Sequence, residues 1–367
     1  MSNVEETTLF LDLDALSHNY HYLKSKINKG TKFLGVVKAF AYGSDMVAIA
    51  KKLEALGADY LAVAYAKEGV LLRNAGVTLP ILVLHPLKAN FEEVIQYNLE
   101  PNLYSEKIIA DFIYLAEQKG VKKYPVHIKF NTGLNRLGLK SENIEDIANK
   151  INQTESVFIK SVLSHLAASE DLEEKTFSTN QIAHFIKDTN ALSKLIGYKP
   201  MMHMCNTSGI LNYPEAHFDM VRSGIGLYGY GNEAKYDKEL KPVATLKTVI
   251  SQIHSIEKGE SIGYNRAFVA DKPMRTATLP IGHADGIGRQ YGNGKTAVQI
   301  HQHWAPIIGN VCMDMIMVDV TGIPCQEGDE VLLFGANHSA DKMAGTAKTI
   351  SYELLTGIGA RVKRKIL

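Results

Sequence analysis

The sequence predicts an α/β protein: a (β/α)8 barrel with a C-terminal all-β domain. Three observations carry this. Between residues 30 and 230, short β-rich runs alternate with helical patterns at a spacing of roughly 20 to 35 residues. Eight such runs occur, the number that closes a parallel TIM barrel. Near residue 235 the texture changes, and strand-like runs divided by Gly, Pro and Asn turns follow with little helical pattern. An open doubly wound sheet is the runner-up, but such sheets usually have fewer strands and a clear switch point. The domains expected are residues 1–14, a strand joining the β-domain; residues 15–235, the barrel; and residues 236–367, the β-domain.

In chain order, the run 7–13 precedes a helix at 16–24 and has no barrel role, so it is assigned to the β-domain. The apolar run 33–38 ends in Lys38, and Ser44-Asp45 then opens a helix over 46–56. There Val47, Ala50, Leu53 and Leu56 recur at helical spacing until Gly57 stops the run. Strand 60–64 leads to helix 67–74 before Gly76, and strand 100–104 to helix 105–118 before Gly120. Runs 81–84, 126–130, 161–166, 201–205 and 219–221 complete the eight. After Lys241 the strand runs are 245–253, 275–281, 296–300 and 315–320.

Composition narrows the function. Of 367 residues 46% are hydrophobic, enough for a large core and two domains. Lys and Arg (40) balance Asp and Glu (39), so no field favours nucleic acid or an anionic membrane. No apolar run approaches the ~20 residues that span a bilayer, and Met1-Ser2-Asn3-Val4-Glu5-Glu6 lacks the basic-then-apolar pattern of a signal. Cys205, Cys312 and Cys325 are scattered, which suggests reduced thiols and a cytoplasmic protein.

Three motifs mislead. Gly224-Ile225-Gly226-Leu227-Tyr228-Gly229 fits G-x-G-x-x-G but follows the last barrel strand, where glycines more often hold a phosphate through backbone N–H groups. Gly294-Lys295-Thr296 resembles a P-loop end, yet Arg289 stands where its first glycine belongs. His301-x-His303 has no third metal ligand.

Lys38 closes an apolar run, where an ammonium is poorly solvated. Such a lysine is either paired or an amine of lowered pKa, able to condense with an aldehyde to an imine. In the barrel reading, other polar residues fall at the same C-terminal strand ends, where barrel active sites lie. They are residues 131–136 after the fifth strand, His165 at the sixth, Asn206 and Thr207 after the seventh and Arg222 after the eighth. Taken singly, Arg136 reads as a surface ion pair, His165 as a core histidine and Arg222 as a packing charge. Their common rim points to a site.

Val36-Val37-Lys38-Ala39-x-Ala41-Tyr42-Gly43 resembles the cofactor-lysine motif of the alanine racemases, fold-type III pyridoxal-phosphate enzymes. The resemblance continues at Lys129-Phe130-Asn131-Thr132-Gly133-Leu134-Asn135-Arg136, Val221-Arg222-Ser223-Gly224-Ile225, Pro280-Ile281-Gly282-His283, Gly309-Asn310-Val311-Cys312-Met313-Asp314 and Thr349-Ile350-Ser351-Tyr352. These blocks follow the family order over nearly the whole chain. The resemblance implies pyridoxal 5'-phosphate as cofactor and interconversion of L-alanine and D-alanine by two bases, supplying D-alanine for peptidoglycan. It also implies a homodimer whose β-domains reach the partner's active site.

By that resemblance, Lys38 forms the imine and is one base, and Tyr264 is the other, reaching the site from the partner subunit. Tyr42, Thr207, Tyr352 and the backbone at Gly224-Ile225 hold the phosphate, and His165 and Asn206 complete the cofactor site. Arg222 faces the pyridine nitrogen and, because a guanidinium does not surrender its proton, keeps that nitrogen unprotonated. A path through His165 towards Arg222 stabilises the Tyr264 phenolate. Arg136, Met313 and Asp314 contact the substrate, and Lys129 matches a lysine carbamylated in many members. The chain departs from the pattern at Phe40 (usually Asn), Ser44-Asp45 (His-Gly), His283 (Tyr) and Asn265 (Gly). Position 283 bears on the gate, so a serine-preferring racemase is one alternative and a non-catalytic pyridoxal-phosphate carrier the other.

Overall fold

A computed structural model describes Val4 and residues 6–367; Met1 to Asn3 and Glu5, part of the expected 1–14 segment, lie outside the described residues. After β1 (Thr8–Leu11) come eight parallel strands: β2 (Lys32–Val36), β3 (Tyr60–Val63), β4 (Ile81–Val83), β5 (Glu100–Leu103), β6 (Tyr124–Lys129), β7 (Val157–Leu163), β8 (Met201–His203) and β9 (Met220–Ser223). Each of β2 to β7 pairs with the next, and β2 pairs with β9. Two backbone bonds bridge the remaining seam, Asp219 N–H to Met202 O and Arg222 N–H to Cys205 O, both 3.1 Å. Strands covered on both faces read as continuous apolar runs, and β4 is wholly buried.

The helices cover the barrel because each shows it one apolar stripe. Met46–Ala55 buries Met46, Ile49, Ala50 and Leu53. Each large side chain so buried contributes about 1.5–3 kcal/mol. Asp45 and Ser105 accept from the N–H groups of Ala48 and Ile108 and so fix two helix starts. Gly57 ends the first of these helices at φ 82°, a conformation that costs other residues more. No helix among the described residues is long and apolar enough to cross a membrane.

One predicted strand end is corrected. β2 stops at Val36, and Lys38 opens the segment Lys38–Gly43. Within it Ala39, Phe40, Ala41 and Tyr42 have φ of 52°, 53°, 54° and 56°, a full turn of left-handed helix. Such a turn costs about 1–2 kcal/mol per non-glycine residue. Glu68 offsets part of this by accepting from Ala39 N–H (2.6 Å), Ala64 N–H (2.7 Å) and Tyr65 N–H (3.2 Å). The turn leaves Phe40 outside and 66% exposed.

In the β-domain, β1 lies between Ala244–Val249, to which it is antiparallel, and Lys363–Ile366, to which it is parallel. The predicted run 245–253 is two strands, Ala244–Val249 and Gln252–Ile256. They separate because Ile250 N–H bonds Asp329 O while Ser251 N–H bonds Thr278 O, sending the chain from one part of the sheet to another. Two short helices, Ala340–Thr346 and Ser351–Thr356, also interrupt the expected all-β texture. The second packs against the left-handed turn, and Arg364 Nη2 donates to Gly43 O at 3.0 Å.

Candidate active site

At the C-terminal ends of the barrel strands lies a cavity of about 600 Å³. It brings together Lys38, Tyr42, Lys129, Arg136 and His165 with Asn206, Thr207, Arg222, Gly224, Ile225 and Tyr352, all named from the sequence. Lys38, Lys129, Arg136 and Arg222 are cations, and no carboxylate is among the lining residues. Such a cavity favours a ligand with more than one anionic group.

Burial sets the proton states. It lowers the Lys38 amine, with help from the Arg136 charge and opposition from Glu68. Burial, then Arg222, Arg136 and Lys38, brings the Lys129 amine down to about 8. His165 is held well below its ordinary value, first by burial and then by Arg222. It is therefore neutral near pH 7, and its Nδ1 accepts from Arg222 Nη2 at 3.2 Å. The Arg222 guanidinium is lowered by burial to about 10 and still carries its charge at neutral pH. Its Nη2 also donates to Ser164 O (2.7 Å) and Met204 O (3.1 Å), which fixes its plane.

One end of the cavity is built from hydroxyls and helix starts. Thr207 begins the helix Thr207–Asn212, capped by Asn206, whose Oδ1 accepts from Gly209 N–H at 2.9 Å. The turn Ile225–Tyr228 starts from Gly224, and Thr207 Oγ1 accepts from Gly226 N–H at 3.2 Å. Tyr42 lies so close to Gly224 that a Cβ there would stand 2.1 Å from its hydroxyl oxygen; only glycine fits. The Tyr42 ring stacks on Tyr228 at 4.5 Å. Burial raises the phenols of Tyr42 and Tyr352, so both remain protonated donors. Hydroxyl donors and helix starts without a carboxylate form a cradle for a phosphate dianion.

Three predicted residues do not join this cavity in their own chain. Tyr264 is 72% exposed and Met313 59% exposed, both on the β-domain. The Asp314 carboxylate accepts from Arg361 Nη2 at 2.6 Å, and Arg361 also grips Asp285. His283 is exposed, its N–H bonded to Cys312 O at 3.0 Å. Sequence reasoning missed Asn102, which lines the cavity and donates to Leu84 O at 2.8 Å. It also missed His203, which holds Arg222 Nη1 at 2.8 Å. Neither carries a motif: Asn102 follows Glu100-Pro101 in β5, and His203 ends the short apolar run of β8. Among the described residues, no group of three or more His, Cys, Asp or Glu could hold a metal.

Comparison with known proteins gives the following. The family pattern "Alanine racemase, N-terminal domain" matches residues 11–232, and "Alanine racemase, C-terminal domain" matches residues 243–366. The chain is 38% identical to alanine racemase of Treponema denticola, over 98% of this chain and 97% of that protein. It is also 38% identical to alanine racemase of Syntrophobacter fumaroxidans, over 95% and 94%. Among solved structures, alanine racemase of Bartonella henselae with covalently bound pyridoxal phosphate superposes with a TM-score of 0.90 at 32% identity, covering 99% of each chain. The Clostridium difficile alanine racemase gives 0.91 at 32% identity, covering 100% and 97%.

Proposed function

We propose that this chain, which belongs to the alanine racemase family, interconverts L-alanine and D-alanine with pyridoxal 5'-phosphate and so supplies D-alanine for peptidoglycan in the cytoplasm. The observation that carries this reading is the cavity itself. Lys129, Arg136 and Arg222, with no carboxylate, surround the half-buried Lys38 amine of lowered pKa, beside a hydroxyl cradle. That set fits a ligand pair bearing an aldehyde, a phosphate and a carboxylate. When bound, the cofactor supplies the electron sink that makes the α-proton of alanine removable.

The chain's own residues do the rest. Lys38 Nζ holds the cofactor and takes or returns a proton on one face of the substrate carbon. Tyr42, Thr207, Tyr352 and the backbone at Gly224-Ile225 bind the phosphate, with Asn206 and His165 completing the wall. Arg222 keeps its proton and so leaves the pyridine nitrogen uncharged, which limits the electron sink and disfavours transamination. Arg136 offers a planar fork to the alanine carboxylate, with Met313 and Asp314 beside it from a second copy. Tyr264 of that copy handles the proton on the opposite face, so the active unit is a homodimer.

Lys129 takes a carbamate. Its amine, lowered to about 8, presents a useful neutral fraction at physiological pH. Its nitrogen bonds carbon dioxide and releases one proton, and the anion formed lies among Arg136 and Arg222. A mass gain confined to Lys129 tests this.

The deciding experiment gives purified, cofactor-loaded protein L-alanine, D-alanine and serine, with chiral separation of the products. D-alanine should form from L-alanine, and the reverse, faster than serine inverts. Faster serine inversion would move the reading to a serine racemase, and cofactor absorbance without turnover to a carrier.

A further inference from the structure

Behind the cavity wall, six side chains join in one unbroken line through the barrel interior. Arg222 Nη1 lies 2.8 Å from His203 Nδ1, and His203 Nε2 lies 2.8 Å from Ser161 Oγ. Ser161 Oγ is 2.5 Å from His127 Nδ1, and His127 Nε2 is 2.8 Å from Glu100 Oε2. Glu100 Oε1 accepts from Lys160 Nζ at 2.7 Å. His127, Ser161 and His203 are fully buried. β7 carries Ser161 between β6 and β8, whose histidine rings stand 6.3 Å apart, beyond direct bonding. The hydroxyl closes that gap.

The two ends set the direction of every proton between them. A guanidinium only donates and an ionised carboxylate only accepts. Contacts with His127 and Lys160 offset the burial of Glu100 and hold its carboxyl below the usual value, so it is ionised. His203 Nδ1 must accept from Arg222, so its proton sits on Nε2 and is donated to Ser161. The Ser161 proton then goes to His127 Nδ1, and the His127 proton sits on Nε2 and goes to Glu100. No proton is missing or left over. The line cannot conduct protons, because Arg222 would have to release one. It transmits polarisation, each bond strengthening the next.

We propose that Ser161 is a positioning residue for the reaction proposed above: its hydroxyl couples the Glu100 carboxylate to Arg222, fixes His203 with a bare Nδ1 towards the guanidinium, and so holds Arg222 in the cavity wall. The consequence for racemisation rests on that functional reading; the proton placement does not. Without the hydroxyl, His127 Nδ1 and His203 Nε2 lose their shared partner, and His203 becomes free to change tautomer.

The test is Ser161→Ala in the full chain, with Ser161→Thr as the hydroxyl-retaining control. Side-chain nitrogen spectra of histidine-labelled wild-type protein should show His127 and His203 as single Nε2–H tautomers, with His203 unchanged over roughly pH 6 to 9. Ser161→Ala should mix the tautomers at His203, weaken pyridoxal-phosphate binding and lower kcat about tenfold, with KM for alanine within about twofold. Ser161→Thr should restore all three. A wild-type His203 protonated on Nδ1, or Ser161→Ala with unchanged tautomers and cofactor affinity, overturns the proposal. Should Ser161→Ala not fold, Glu100→Gln reads the same line: its amide also donates, so His127 should become a mixture, and an unchanged His127 overturns the proposal. A wild-type protein that binds cofactor yet does not racemise alanine would sink the functional reading alone, since the spectra and cofactor affinity still report on Ser161.

Discussion

Lys38 and Tyr264, the two proton-handling side chains of the proposed reaction, sit in opposite settings. Lys38 is half-buried at the start of a left-handed turn that Glu68 ties to the end of β3. Tyr264 stands 72% exposed on the β-domain, in the short turn Tyr264–Arg266. Everything the barrel contributes converges on its own cavity, and of the β-domain's assigned residues only Tyr352 reaches it. The barrel half is preorganised by the folding of one chain. In the proposed homodimer the other half is organised by association, so its effectiveness would depend on protein concentration in a way the barrel's does not.

Lys38→Ala strikes the preorganised half hardest. It should abolish the visible absorbance of the bound cofactor and lower racemisation by about 10³-fold or more; native absorbance would mean that another amine holds the cofactor. Tyr264→Phe addresses the associating half. Cofactor absorbance and dimer mass should persist while turnover falls about 10²–10⁴-fold in both directions, and full activity would leave the second face without its base. Arg136→Lys keeps the charge but loses the fork, so KM for alanine should rise about 10- to 100-fold with cofactor affinity nearly unchanged. An unaltered KM would remove Arg136 from carboxylate binding.

Lys129→Met, measured by denaturation of carbon-dioxide-free apoprotein, probes the charge crowding of the barrel half. The amine's value is lowered to about 8 from 10.5, so the unfolded chain binds more protons between those limits. Wild-type stability therefore rises with pH across that window, and the burial penalty is fully present only below it. The variant should be more stable at pH 7 by on the order of 2 to 3 kcal/mol, a gain that vanishes towards pH 10.5. A gain independent of pH would assign the effect to packing. Phe40→Gly should have the smallest effect, stabilising the apoprotein by about 1 kcal/mol by relieving one left-handed residue, with cofactor affinity untouched.

Much of this was legible because periodicity reports burial. The eight barrel strands and their helices follow from apolar runs and helical spacing, and barrel geometry then places Lys38, His165, Asn206, Thr207 and Arg222 on one rim. The left-handed turn was not legible: Ala39-Phe40-Ala41-Tyr42 contains no glycine, and its conformation is imposed by Glu68 and by the packed helix Ser351–Thr356. Nothing in their own strands links His127, Ser161 and His203: Lys129 shares β6 with the first and Lys160 adjoins the second in β7. Their connection emerges only once β6, β7 and β8 are set in register. That register is long-range information. Similarly, no single chain's pattern shows the partner-site placement proposed for Tyr264 and Met313.

The position of β1 between Ala244–Val249 and Lys363–Ile366 has a consequence for biosynthesis. β1 finds one neighbour only after the whole barrel has emerged, and the other later still, once Lys363–Ile366 has been made. Barrel segments can collapse as they appear, since each of β3 to β8 pairs with the strand made just before it. The β-sheet must wait, with β1 unpaired at both edges while the barrel is made and at one edge until Lys363–Ile366 follows. Chaperone dependence should therefore concentrate on β1, and shielding it should raise the yield of native chain more than any change within the barrel.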